Sequence, residues 1–185
     1  MTEKKDDGKA TPTKSQKLLK TLKTLFTEAI QLDTPKKKDP RREYPETVAE
    51  VIDDEMKFRP AVYAAMKDFR ASKPWQGTQG EMQFKLRALN QQLAGIYEIE
   101  EPKMVFVDKM PGGGCCFRSK PAVIMLQPES EGRYSVVAYL HEFAHSIGKD
   151  EKGACKWSIN LFKRIFPNSY NALEPDGHLL RKKST

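Results

Sequence analysis

The sequence predicts an α+β fold: a small antiparallel or mixed sheet packed on helices, with one helix carrying the chemistry and a second helix following it. Three observations support this. Two short β-rich runs, Lys103-Met-Val-Phe-Val107 and Ala122-Val-Ile-Met-Leu126, are bounded by proline or polar residues. Segments of helical period lie before and after them. The first helical segment after the strands, about Tyr134 to Ile147, is followed at once by another that Pro167 stops.

The 185 residues suffice for one domain with a core, plus tails. Residues 1–14 are polar and read as a disordered tail. Ser15 is an N-cap for an amphipathic helix to about Leu32, with Leu18, Leu22, Leu25 and Ile30 on its apolar stripe. Pro35, Pro40 and a lysine-arginine run then mark a linker to residue 43, so that the domain proper is expected over 44–178. Within it, Pro45 opens one helix, and Pro60 splits or kinks it before Ala61–Phe69. A loop through Trp75 leads to Thr78, which with Glu81 makes a capping box for a helix to about Leu93. The two β-rich runs pair as an antiparallel sheet, with a glycine-rich loop between them and a further short strand near Cys116 to Ser119. After Phe166 the chain is expected to be loop, ending in a basic tail over 179–185.

The chemistry is concentrated in Val137-Ala-Tyr-Leu-His-Glu-Phe-Ala-His-Ser-Ile-Gly148. Positions i and i+4 share a helix face, so His141 and His145 point the same way and can share one Zn²⁺. Glu142, between them, is placed to act on a water as general base. Val136, Leu140, Phe143 and Ile147 give the helix an apolar back, and Gly148 stands where a left-handed cap ends it. A catalytic zinc takes three protein ligands and leaves a position for water. Glu151 is the candidate for the third, six positions after His145 and beyond a glycine that lets the chain turn back. Asp150 is its rival, with a competing role as the N-cap of the next helix.

His141-Glu142-Phe-Ala-His145 resembles the site of zincin metallopeptidases. Glu151-x-x-Ala154-x-x-Trp157-Ser158 resembles the second helix of gluzincins of the ImmA/IrrE type, a family implicated in cutting or controlling repressor proteins. That likeness covers about residues 104–167. It implies that Glu151 completes the zinc site and that Ala122–Leu126 is the edge strand along which substrate aligns. The interval from His145 to Glu151, with Gly148 inside it, instead matches the metzincin pattern, although no methionine follows Met125 as a metzincin methionine turn requires. The subclass stays open, and both likenesses nominate Glu151.

His178 and Tyr170 are the candidates for a donor facing a developing oxyanion. Cys115 and Cys116 read as buried thiols before a strand, with metal shielding as the sharper alternative; Cys155 and Trp157 read as core. The Gly112-Gly-Gly run lacks the Gly-Lys-Ser/Thr ending of a phosphate loop. Net charge is +7, but the basic runs at the ends carry no interleaved aromatics, so attraction to nucleic acid is weakly supported. No run reaches the length of a membrane span, and Met1–Lys9 holds no apolar signal segment, which points to a cytoplasmic protein. The expected function is a zinc peptidase acting on a protein or peptide. The alternative is a non-proteolytic regulatory module of the same fold that engages a partner through its basic tails.

Overall fold

A computed structural model of the chain describes residues 45, 47–108, 115–127, 132–176 and 179–183. The chain divides into two units, Met1–Lys37 and Lys38–Thr185, and all described residues belong to the second. The expected tail over 1–14, the helix over 15–32, its linker and His178 lie outside the described residues.

The segment after Pro45 forms one 3₁₀ turn, Val48–Val51, instead of the expected helix. The Asn160 side chain explains the stop, because it accepts from Asp53 N at 2.8 Å and donates to the Val51 carbonyl at 2.7 Å. Those backbone groups are needed to extend a helix, and here they are bound to another element. Pro60 then starts α1 (Pro60–Ala71) at its first position, where a missing N–H costs nothing. Thr78 and Glu81 form the predicted capping box, with Thr78 N donating to Glu81 Oε2 at 2.6 Å. The helix they open, α2 (Gln79–Tyr97), runs one turn past Leu93 and brings Tyr97 into the aromatic core.

Strands β1 (Lys103–Phe106), β2 (Cys115–Ser119) and β3 (Ala122–Leu126) form a sheet in the order β1-β3-β2. β2 and β3 are antiparallel, whereas β1 and β3 are parallel, so the sheet is mixed and not wholly antiparallel. This also corrects the edge-strand expectation, since Ala122–Leu126 is the central strand. Its run Val123–Leu126 is buried at every position, as a strand covered on both faces must be.

Helix α3 (Arg133–Ser146) packs against β2, β3 and α4 (Glu151–Ile165). Every residue from Ser135 to Ala144 is buried, so α3 is the centre of the domain, not a helix with one apolar back. Phe143 meets Trp157 of α4 at 6.2 Å and Tyr97 of α2 at 6.0 Å between ring centroids, which locks the three helices together. Beyond α4 the expected loop and tail are instead a short helix, α5 (Pro167–Tyr170), and a hairpin of β4 (Leu173–Asp176) and β5 (Leu179–Lys182). Leu173 and Leu180 are buried and β5 contacts α3, so residues 179–182 are part of the fold. The basic residues around them hid this from the sequence. No helix among the described residues is long and apolar enough to cross a membrane.

Candidate metal centre

The turn between α3 and α4 builds the site. Gly148 adopts φ 82°, its N–H reaches the His145 carbonyl at 3.0 Å, and Lys149 N–H reaches the Ala144 carbonyl at 3.1 Å. This pair of bonds is a Schellman cap, which ends α3 and reverses the chain. Asp150 then caps α4, its Oδ1 accepting from Gly153 N at 2.7 Å. Glu151, the first residue of α4, is thereby turned back onto α3. The choice between the two acids follows from this geometry: Asp150 is used by the helix terminus, and Glu151 joins the histidines. Gly148→Ala has space for its methyl group but not the φ, and is expected to destabilise the fold by about 1 kcal/mol, read from the urea midpoint.

His141, His145 and Glu151 form a group able to hold a metal ion. Glu151 Oε2 lies 3.1 Å from His141 Nε2 and 3.5 Å from His145 Nε2, and the two Nε2 atoms are 3.2 Å apart. A tetrahedral ion with bonds of about 2.0–2.1 Å needs donors about 3.3–3.4 Å from one another. The three separations lie around that value. Glu151 Oε2 is buried and has no hydrogen-bond partner, so its approaches to the imidazoles are close contacts without hydrogen-bond alignment. A buried carboxylate oxygen without a partner is costly, and a shared cation removes that cost.

The outer contacts set which nitrogen is bare. His145 Nδ1 lies 2.8 Å from the Lys149 carbonyl and therefore carries the proton, leaving Nε2 for the metal. His141 Nδ1, the ring nitrogen that does not meet Glu151, lies 3.7 Å from Cys155 Sγ. Phe117 of β2 stacks on His145 at 6.3 Å and 21°, which places the sheet's β2 edge beside the centre.

The three groups are electrostatically coupled to one another. Burial would raise the Glu151 carboxyl, but the His141 and His145 imidazoles outweigh it and hold the group well below the usual carboxylate range. Burial would lower His145; the adjacent Glu151 carboxylate and the Lys149 carbonyl overcome it and shift His145 upward. Cys155 is pushed up to about 12, by burial first and by the charge of Glu151 second, so it stays a neutral thiol. Glu142 is 5% exposed and adjoins His141 in sequence, and its charge also acts on His145.

Tyr170 is not brought to the group. It lies past the C-terminal end of α4 whereas Glu151 opens the N-terminal end, about 21 Å away along a helix of this length. There it sits under Lys163 Nζ and lines a separate groove with Asp53 and Asp54. Cys115 and Cys116 lie in β2. Sequence reasoning missed the outer contacts of Lys149, Cys155 and Phe117. Only Cys155 left a sequence signal, standing four positions after Glu151 on the same face of α4. No family model, curated protein or solved structure matches this chain.

Proposed function

We propose that this protein is a zinc-dependent peptidase of the zincin kind. The observation that carries the reading is the triangle of His141 Nε2, His145 Nε2 and Glu151 Oε2 with Glu142 next to it in the chain. Two imidazoles and one carboxylate are a hydrolytic zinc donor set, and among the described residues no thiolate of the kind that marks structural zinc joins them. A zinc ion held there supplies Lewis acidity to a substrate carbonyl and makes a water nucleophilic near neutral pH.

The remaining chemistry belongs to the chain. Glu142 takes the proton of the attacking water and delivers it to the leaving amine nitrogen. Its buried position removes competing solvent from that proton. His145 is held by the Lys149 carbonyl, and Glu151 by the cap that Asp150 makes at the start of α4. An extended peptide is best accommodated along β2, whose residue Phe117 contacts His145, because β3 is covered on both sides by β1 and β2.

Removing the metal tests the reading. A ligand that binds only the folded state raises the unfolding temperature, and chelation takes that gain away. Treatment with a strong chelator is expected to lower Tm by several degrees and abolish hydrolysis of a quenched-fluorescent peptide library. Stoichiometric Zn²⁺ is expected to restore both. Wild-type protein that binds no zinc at neutral pH would overturn the proposal. Zinc-loaded protein that cleaves no peptide in the library would favour a regulatory module over an enzyme.

A further inference from the structure

Each of the two histidines has its far nitrogen against a different kind of partner. His145 Nδ1 meets a backbone carbonyl, that of Lys149, at 2.8 Å. His141 Nδ1 meets a side chain, Cys155 Sγ, at 3.7 Å. Carbonyls and carboxylates are the usual partners of metal-bound imidazoles, and a thiol is a weaker acceptor. Resting on the metal reading above, we propose that Cys155 is a positioning residue for that centre: its sulfur accepts the Nδ1–H of His141, fixing the ring so that the bare Nε2 faces Glu151 and His145.

The arrangement follows from helix geometry. On α3 the pair His141 and His145 is spaced i, i+4, and on α4 the pair Glu151 and Cys155 has the same spacing. Two facing helices therefore each present two groups one turn apart. Glu151 meets both Nε2 atoms, and Cys155 meets the other nitrogen of the His141 ring, Nδ1. Cys155 is 0% exposed and His141 5% exposed, so bulk water does not readily replace the sulfur as acceptor. A buried imidazole N–H needs such an acceptor. The sulfur is not among the donor atoms that converge on one point.

A core role and a positioning role make different predictions for serine and alanine. Both remove the sulfur, but only serine keeps an acceptor. Zinc affinity is measured on the purified full chain by competition with a chromogenic chelator. The Tm of the chelated protein, taken in parallel, reports packing separately. Loss of an outer partner costs about 10–100-fold in metal affinity, and a thiol acceptor belongs at the lower end. Cys155→Ala is therefore expected to bind zinc about tenfold more weakly than wild type, with Cys155→Ser within about threefold of it.

Cys155→Ala that binds zinc as tightly as wild type overturns the assignment and leaves the metal centre standing. Serine as weak as alanine overturns it too, because cavity formation alone then accounts for the loss. Wild-type protein without zinc overturns the metal reading and this assignment together. If the alanine variant does not fold, the near-isosteric pair Cys155→Thr and Cys155→Val decides in its place. Threonine is then expected to bind zinc more tightly than valine, and equal affinities overturn the assignment.

Discussion

Glu142→Gln is expected to keep a full complement of zinc and to lose hydrolysis by about 10²–10⁴-fold, the contribution of a positioned general base. The glutamine amide has the size and shape of the carboxyl group, so the buried site on α3 is still filled. What it cannot do is accept a proton. Glu142 is not among the three residues whose donor atoms converge, so metal content separates its role from theirs. Zinc content and cleavage of the peptide library are measured on the same preparation. Activity within threefold of wild type would assign the base elsewhere, and loss of zinc would make Glu142 a ligand.

Glu151→Ala is expected to have the larger effect on the metal itself. It removes one of three donors and the negative charge that both imidazoles face at 3.1 and 3.5 Å. Zinc affinity should fall by more than the 10–100-fold typical of changes outside the ligand shell. The Tm gain on adding zinc should disappear with it. The companion Asp150→Ala should behave differently. That variant loses the cap on Gly153 N, at a cost of about 1 kcal/mol in stability, while keeping zinc. If Glu151→Ala retained full zinc occupancy while Asp150→Ala lost it, the roles given to the two acids would have to be exchanged.

Much of this site is written within a few turns of chain. His141, Glu142 and His145 share one helix, and a 3.6-residue period places the two imidazoles together whatever surrounds them. The caps are equally local. Thr78 with Glu81, Pro60 at the start of α1 and Gly148 at the end of α3 act through backbone groups three to five residues away. Glu151 lies close enough to the motif for the sequence to nominate it. Separating it from Asp150 required the turn itself, which commits Asp150 Oδ1 to Gly153.

Strand order, by contrast, was not legible. An alternating or apolar run marks a strand but not its neighbour, and β1 paired parallel to β3 where an antiparallel partner was expected. One clue was present, because Ala122-Val-Ile-Met-Leu126 has no polar alternation, as befits the central strand of the sheet. The terminal hairpin was hidden for a different reason. Leu173 and Leu180, buried among its described residues, stand next to charged neighbours that read as tail.

The sequence by itself therefore determined the helix that carries both histidines, the place of Glu142 between them and the two acids that could join them, since each depends on spacing along one stretch of backbone. Only the tertiary structure decided which acid closes the triangle, that Tyr170 stands at the far end of α4, that Phe117 of β2 stacks on His145, and that Cys155 lies against His141. Those are contacts between elements. They arise when α3 is buried on every side by α4, the sheet and the hairpin, and local periodicity carries no record of which surfaces will meet.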